Sequence, residues 1–447
     1  MIAIVGSGIS GLTAGFWLQK QGFDVRIFEQ KNHYGGWIKS TAGPLGEIID
    51  EAANGWLNNE PAVDRLIQAL GLEDQHLPAC DPKSERWIYH QNKLCPAPLT
   101  PLKLIKTPLL SILEKCRLLL EPFVSKGPIN TEQSLADFIK RRLGAGPLDT
   151  LVAPMVAGIY AAHPEDLELK STFPLLLELE QEYGSLFKGL RKRKRSSPPH
   201  LHSLPRGAGQ LCEQLAKTLP ISLNTPITEL KQSQNLWEFQ SPSLGRFEHV
   251  ILAIPAYAQA KLLEPLKPNL SEKLSKIKYN HALVASTLYE HQSLKNKPTG
   301  FGALISRQTE LLGALGVLFT SEIFPSRAPQ NHVLTRIIFG GSRYPETLEL
   351  DTQEIHRRTR TIHDELFGEH APPVSISVHK HRSAIPCYAP GHAQLIQNIK
   401  EDIQKLSGLS LLGNHIDGVG VKDCIRNAEA LTLHLSPILS NANANRG

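Results

Sequence analysis

The sequence predicts an α/β protein, α+β overall, that opens on a βαβ unit of a parallel sheet. Three observations predict it. Ile2–Val5 is a short apolar run bounded by glycine, which reads as a strand buried on both faces. Gly6-Ser7-Gly8-Ile9-Ser10-Gly11 follows at once, and Leu12, Phe16 and Leu18 then recur at helical spacing through residue 21. Residues 23–29 form a second strand, and it ends on Glu29, 18 positions past Gly11.

Each part has a physical task. Gly6 permits the tight turn out of the strand, Gly8 lets backbone N–H groups approach a pyrophosphate, and Gly11 lets helix and strand pack closely. The amides of Ser7, Ile9 and Ser10 complete that cradle, because a helix N-terminus offers unpaired donors and partial positive charge. Glu29 is placed to accept hydrogen bonds from a ribose diol, with Gln30 beside it. The order strand, glycine turn, helix, strand, acid is Rossmann-like and points to a dinucleotide.

A chain of 447 residues has room for about three domains, each with its own core. A net charge of +5 makes no case for nucleic acid, though it tolerates an anionic substrate or surface. Six scattered cysteines, with no Cys-x-x-Cys pair and no histidine cluster, suit a reducing compartment and suggest neither a disulfide framework nor a metal site. The chain begins on a strand without a targeting segment, and no uncharged apolar run reaches the roughly 20 residues of a membrane span. A cytoplasmic protein follows, soluble or peripheral on a membrane. Residues 95–200 combine Leu109, Leu110, Ile112, Leu113 and Leu118–Leu120 with Lys103, Lys106, Lys115 and Arg117. That pattern reads as short helices with apolar faces, for core packing or for a membrane surface. The basic run at 190–199 reads as a solvated, mobile loop.

Further motifs carry a resemblance. Tyr34-Gly35-Gly36-Trp37-Ile38-Lys39 resembles the double glycine and following base of flavoenzymes of the amine-oxidase superfamily. Three more segments match in order and spacing. They are residues 154–162 with Asp166, Phe173 and residues 182–185; residues 300–304 with residues 340–342; and residues 411–414 leading into residues 418–424. Together they resemble the protoporphyrinogen oxidase family over nearly the whole chain.

The resemblance implies a Rossmann-like FAD-binding domain of the amine-oxidase/glutathione-reductase type, built from residues 1–55, 203–258 and 404–440. It also implies a mixed-sheet substrate domain (56–94 and 259–403) and a helical, membrane-leaning domain (95–202). FAD would be non-covalent, although Cys387 lies in a region broadly similar to that where monoamine oxidases attach it. Gly35, Gly36, Trp37, Lys39, Ile227, Ala253, Gly413, Val419, Gly420 and Val421 would join the N-terminal motif around the cofactor, with a helix beginning near Val419. Lys39 would offset pyrophosphate charge, though a lysine lacks the bidentate fork of the family's usual arginine. Gly158, Phe301 and Leu304 would meet a tetrapyrrole, and Lys103 or Lys106 its propionates, where the family has an arginine. The implied reaction is hydride removal from protoporphyrinogen IX to flavin N5, three times over, with oxygen or another acceptor. Coproporphyrinogen III oxidation and a flavin amine oxidase or desaturase are the alternatives. The sequence marks no side-chain base; His281, His379, His381 and His392 read as surface or core residues. A homodimer is a further expectation for the assembly.

Overall fold

The computed structural model describes residues 1–80, 85–127, 132–193, 199–296 and 299–444. Strand β1 (Ile2–Val5) lies at the centre of a five-stranded sheet in the order Ile221–Ser222, β2 (Val25–Phe28), β1, His249–Leu252, Leu409–Leu411. Every pairing in it is parallel. Alternation along β1 sends Ile2 and Ile4 to one core and Ala3 and Val5 to another. The first core contains Leu12, Phe16 and Leu18 of helix α1 (Ile9–Lys20), all buried, and side chains of the long helix Val421–Ala444. The second contains Trp237, Phe239, Phe247 and Leu263. Each such side chain, fully buried, contributes roughly 1.5–3 kcal/mol, so both sheet faces are anchored and the strand ends are held rigidly.

A seven-stranded mixed sheet runs in the order Ser375–Pro386, Tyr279–Glu290, His332–Gly340, Ala314–Leu318, Gly302–Ile305, Arg86–His90, Lys93–Pro96. Its one parallel pairing joins Gly302–Ile305 to Arg86–His90. One face carries Leu283, Ala285, Ile337 and Phe339 into a core with Ile362 and Phe367. A hairpin of β3 (Ser40–Ala42) and β4 (Ile48–Asp50) runs from the parallel sheet towards this one.

The described residues between 101 and 192 are largely helical. Helix Leu135–Arg142 supplies Arg142, whose side chain is buried with Glu121 in an ion pair. The apolar positions of this region divide between buried and exposed. Leu109, Leu110 and Leu118 are buried, whereas Leu102, Ile105, Ile112, Leu113, Leu119, Leu120 and Phe123 are exposed, Leu113 and Phe123 by more than 80%. Of the basic run at 190–199, Leu190–Lys192 complete the helix Leu186–Lys192 rather than a loop, and residues 194–198 lie outside the described residues. Among the described residues no helix is long and apolar enough to cross a membrane.

Candidate active site

In the parallel sheet the strand order reverses between β1 and His249–Leu252, and ligands of open α/β sheets bind at such a switch point, beyond the strand ends. The Gly6 turn lies there. Gly6 has φ +102°, and a Cβ on it would stand 2.6 Å from the Ala253 carbonyl oxygen. A Cβ on Gly11 would stand 2.0 Å from the Gly6 oxygen and 3.2 Å from the Ala253 Cβ. Gly8 differs: nothing lies within 4 Å of its Cβ position. It holds the N-cap of α1 without a side-chain cap, and Ile9 and Ser10 follow it as the first helical residues. The crevice is therefore closed at Gly6 and Gly11 and open at Gly8.

Glu29 is buried. Its Oε2 accepts from the Ser7 N–H (2.9 Å) and Ser7 Oγ (2.8 Å), and its Oε1 from the Lys31 N–H (3.0 Å). The acid thus braces the glycine turn, while Gln30 next to it is exposed. The Gly35–Gly36 loop lies directly on the turn. Gly35 donates its N–H to the Ser7 oxygen at 2.8 Å, and a Cβ on Gly36 would stand 3.1 Å from the Gly8 Cα. Both glycines have positive φ, which disfavours any side chain. Trp37 meets His381 edge-on, with ring centroids 5.0 Å apart. From the far end of the chain, Gly413 (φ +151°) comes within reach of the Ile254 oxygen, and Ile227 packs into the core that holds Val5 and Leu252.

These residues fit a dinucleotide: an open backbone cradle, an unclaimed helix N-terminus and a buried acid. The family described as flavin containing amine oxidoreductase matches residues 9–430. The chain belongs to that family. Its cofactor is accordingly FAD. Protoporphyrinogen oxidase 2 of Arabidopsis thaliana is 29% identical over 99% of this chain and 95% of that protein. Coproporphyrinogen III oxidase of Bacillus subtilis is 25% identical over 96% of each. A solved structure from Exiguobacterium sp. 255-15, provisionally assigned as a protoporphyrinogen oxidase, superimposes with a TM-score of 0.84 at 22% identity over 97% of this chain and 98% of that one.

Beside this crevice, where Trp37 meets His381, stands the second face of the seven-stranded sheet. Direct cross-strand pairs place Leu304, Gly316, Ile338, Val284 and His379 in one row on that face. Helix Ala153–Tyr160 covers the Leu304 end: a Cβ on its Gly158 would stand 3.1 Å from Leu304 Cδ2. The segments singled out by resemblance meet here too, since Ser342 donates its N–H to the Ala161 oxygen at 2.8 Å. Phe301 leads into the same strand, and the Arg86 guanidinium lies 4.9 Å from its ring centroid. Arg86 pairs with Gly302, so it shares the face that bears Leu304.

Four expectations change on this geometry. Lys39 does not stand free to meet phosphate, because its ammonium pairs with Glu51 at 3.0 Å. The C-terminal helix begins at Val421, near Val419 as expected, but its N-terminus is not open: the Asp423 carboxylate accepts the Gly420 N–H at 3.1 Å. That second N-terminus is therefore capped from within, while Val419 packs against the core of residues 135–186. Lys103 is exposed on a surface helix with Leu102 and Ile105, and Arg86 is the cation that accompanies Phe301. No spacing marked Arg86; only its register with Gly302 reveals it. His379 is neither a free surface residue nor a core one, for its Nδ1 lies 3.5 Å from Glu51 Oε2 and its Nε2 3.0 Å from Ser377 Oγ. The alternation Ser377, His379, His381 on one strand was its only sequence signal.

Cys387 is a half-buried thiol whose Sγ donates to the Asp166 oxygen at 3.4 Å. Burial, with Asp166 nearby, pushes its pKa up to about 11, so it is not a nucleophile at neutral pH.

Proposed function

We propose that the protein oxidises protoporphyrinogen IX to protoporphyrin IX, using non-covalent FAD. The observation that carries this reading is the sheet face beside the crevice: an apolar wall of Leu304 and Ile338, faced by a helix with no side chain at Gly158. A flat macrocycle needs such walls and an aromatic edge, which Phe301 provides. Relatedness over full length to proteins named as porphyrinogen oxidases supports the same substrate class.

FAD supplies two-electron acceptance, and the chain supplies its holding and the placing of substrate. Gly6, Ser7, Gly8, Ile9, Ser10 and Gly11 would cradle the pyrophosphate. Glu29 would take the ribose, with Gln30 at its edge. Gly35, Gly36 and Trp37 would cover the cofactor, and Ile227, Ala253, Gly413, Val419, Gly420 and Val421 would line its remaining length. Gly158, Phe301 and Leu304 would hold the macrocycle. Arg86 takes the role first given to Lys103, that of meeting a propionate, since a guanidinium pairs with a carboxylate in a bidentate fork.

A second reading, coproporphyrinogen III, is favoured by the Bacillus subtilis relative alone. Its two further carboxylates would call for more cations than Arg86. The division into FAD, substrate and helical domains belongs to this proposal, as do oxygen as acceptor and a homodimer. So does a peripheral cytoplasmic location, in which Ile112, Leu113, Leu119, Leu120 and Phe123 meet lipid between basic residues. Growth of porphyrin fluorescence when the purified yellow protein receives each porphyrinogen separately tests the substrate. Emission with coproporphyrinogen III alone would reverse the assignment.

A further inference from the structure

Oxidation of a porphyrinogen releases protons as well as electrons. Each two-electron step removes one bridge C–H hydrogen with its electron pair, to the flavin, and releases one proton. Across the three steps the ring gives up three hydrides and three protons, two of the protons from pyrrole N–H groups and one from the remaining bridge CH2. The proton needs an acceptor and a way out of an apolar site. At the end of the sheet row opposite Gly158, polar side chains stand in sequence. Ser377 Oγ is 3.0 Å from His379 Nε2, His379 Nδ1 is 3.5 Å from Glu51 Oε2, and Glu51 Oε1 is 3.0 Å from Lys39 Nζ. Side-chain exposure is 20% at His379 and 14% at Glu51, then 42% at Lys39, so the chain of contacts runs from the sheet face to solvent. Its outer end flanks the β3–β4 hairpin, which follows directly on the Gly35–Gly36–Trp37 loop. The cluster thus stands where the flavin crevice meets the sheet face.

We propose that Ser377, His379, Glu51 and Lys39 form a proton-exit relay for this site, with His379 as the group that accepts and passes the proton. The proposal rests on the porphyrinogen reading above. Four strand spacings, roughly 19 Å, separate His379 from Leu304, so the neutral imidazole takes the proton by way of water rather than from the ring directly. Glu51 stabilises the imidazolium, and the proton leaves through the Glu51–Lys39 pair to solvent, which restores the neutral ring. The groups that face His379 are Glu51 and Lys39 from the ends of the hairpin, Arg336 from the strand His332–Gly340, and His381 from its own strand. Burial holds the His379 pKa below 6.5; Glu51 pulls it up, while Lys39 and Arg336 push it down. The ring is therefore neutral and able to accept at pH 7. His381 is a positioning residue, its Nε2 2.8 Å from the Glu51 oxygen and its ring against Trp37.

The test uses the full-length, FAD-loaded protein with two readouts. In anaerobic stopped flow with protoporphyrinogen, the wild-type rate of flavin bleaching rises with pH through the His379 titration and then levels. His379→Gln, with unchanged FAD content, is about tenfold to a hundredfold slower on the plateau and loses the acid limb. In nitrogen-15 NMR of labelled histidines, without substrate, the His379 midpoint lies below 6.5 and falls further in Glu51→Gln, and Glu51→Asp returns it part-way. A wild-type rate and pH limb in His379→Gln, or a midpoint that Glu51→Gln leaves unmoved, overturns the relay. A protein whose flavin neither porphyrinogen bleaches overturns the substrate reading instead, and the NMR midpoint then decides the relay alone.

Discussion

A Cβ placed on Gly11 would stand 2.0 Å from the carbonyl oxygen of Gly6, closer than any side chain can approach a backbone atom. Two glycines five residues apart therefore hold α1 against β1 and set the floor of the crevice. Gly8 is their contrast, with open space at its Cβ position. Gly11→Ala should lose FAD and thermal stability together. Gly8→Ala should fold with an unchanged Tm and bind FAD about tenfold or more weakly, which is about 1.4 kcal/mol. Flavin absorbance and a melting curve on the two variants check both.

Arg86 and Gly158 make separate claims about substrate. Arg86→Ala removes a cation from the Leu304 face and should raise KM about tenfold with a smaller change in kcat, as loss of uniform binding does. Gly158→Leu has no room against Leu304, whose Cδ2 would stand 3.1 Å from the new Cβ, so it should displace Leu304 and lower turnover without displacing FAD. Steady-state kinetics with protoporphyrinogen, and the flavin spectrum of each variant, separate these outcomes.

The buried Glu121–Arg142 pair predicts an acid-side loss of stability. Burial opposes ionisation of Glu121, yet bonds from Ser185 Oγ and the Leu186 N–H, together with Arg142, outweigh it and depress its pKa below 4.5. A depressed carboxylate stabilises the fold fully above the unfolded glutamate range, and that contribution disappears as pH falls through the folded value. Arg142→Ala should cost about 3–5 kcal/mol at pH 7, since it strands a buried charge. Glu121→Gln should melt below wild type at pH 7 and approach it near pH 3. Circular dichroism melts across that range give the comparison.

Cys387 predicts how the flavin is held. With its pKa near 11, this thiol is almost wholly protonated at pH 8 and should react slowly with iodoacetamide, speeding up as pH rises towards 11. Trichloroacetic acid should release all the FAD, from wild type and from Cys387→Ser alike. Flavin retained in the wild-type pellet and absent from the variant's would mean a covalent link.

The parts of the fold legible in sequence were those dictated by local chemistry. β1 is Ile2–Val5 as read, and the second strand is Val25–Phe28 within the expected 23–29, because glycine and apolar runs mark a buried strand without tertiary help. α1 starts at Ile9, earlier than the apolar spacing from Leu12 suggested, since the glycine turn itself winds into the helix. What escaped was set by partners distant in sequence. Lys39 carries the charge expected of it, but Glu51 across the hairpin claims that charge. Arg86 became visible only when a parallel pairing set it beside Gly302. His379 gained its character from Glu51, more than 300 residues earlier in the chain. Local pattern writes strands and turns; register between distant strands decides which side chains share a face.

The central claim is that a porphyrinogen on the Leu304 face gives its electrons to FAD in the neighbouring crevice. It is tested most directly by anaerobic titration of the FAD-loaded protein with protoporphyrinogen, following flavin absorbance and porphyrin fluorescence together. Three flavins bleached for each porphyrin formed is the predicted result. A flavin that stays oxidised while excess protoporphyrinogen is present would contradict it.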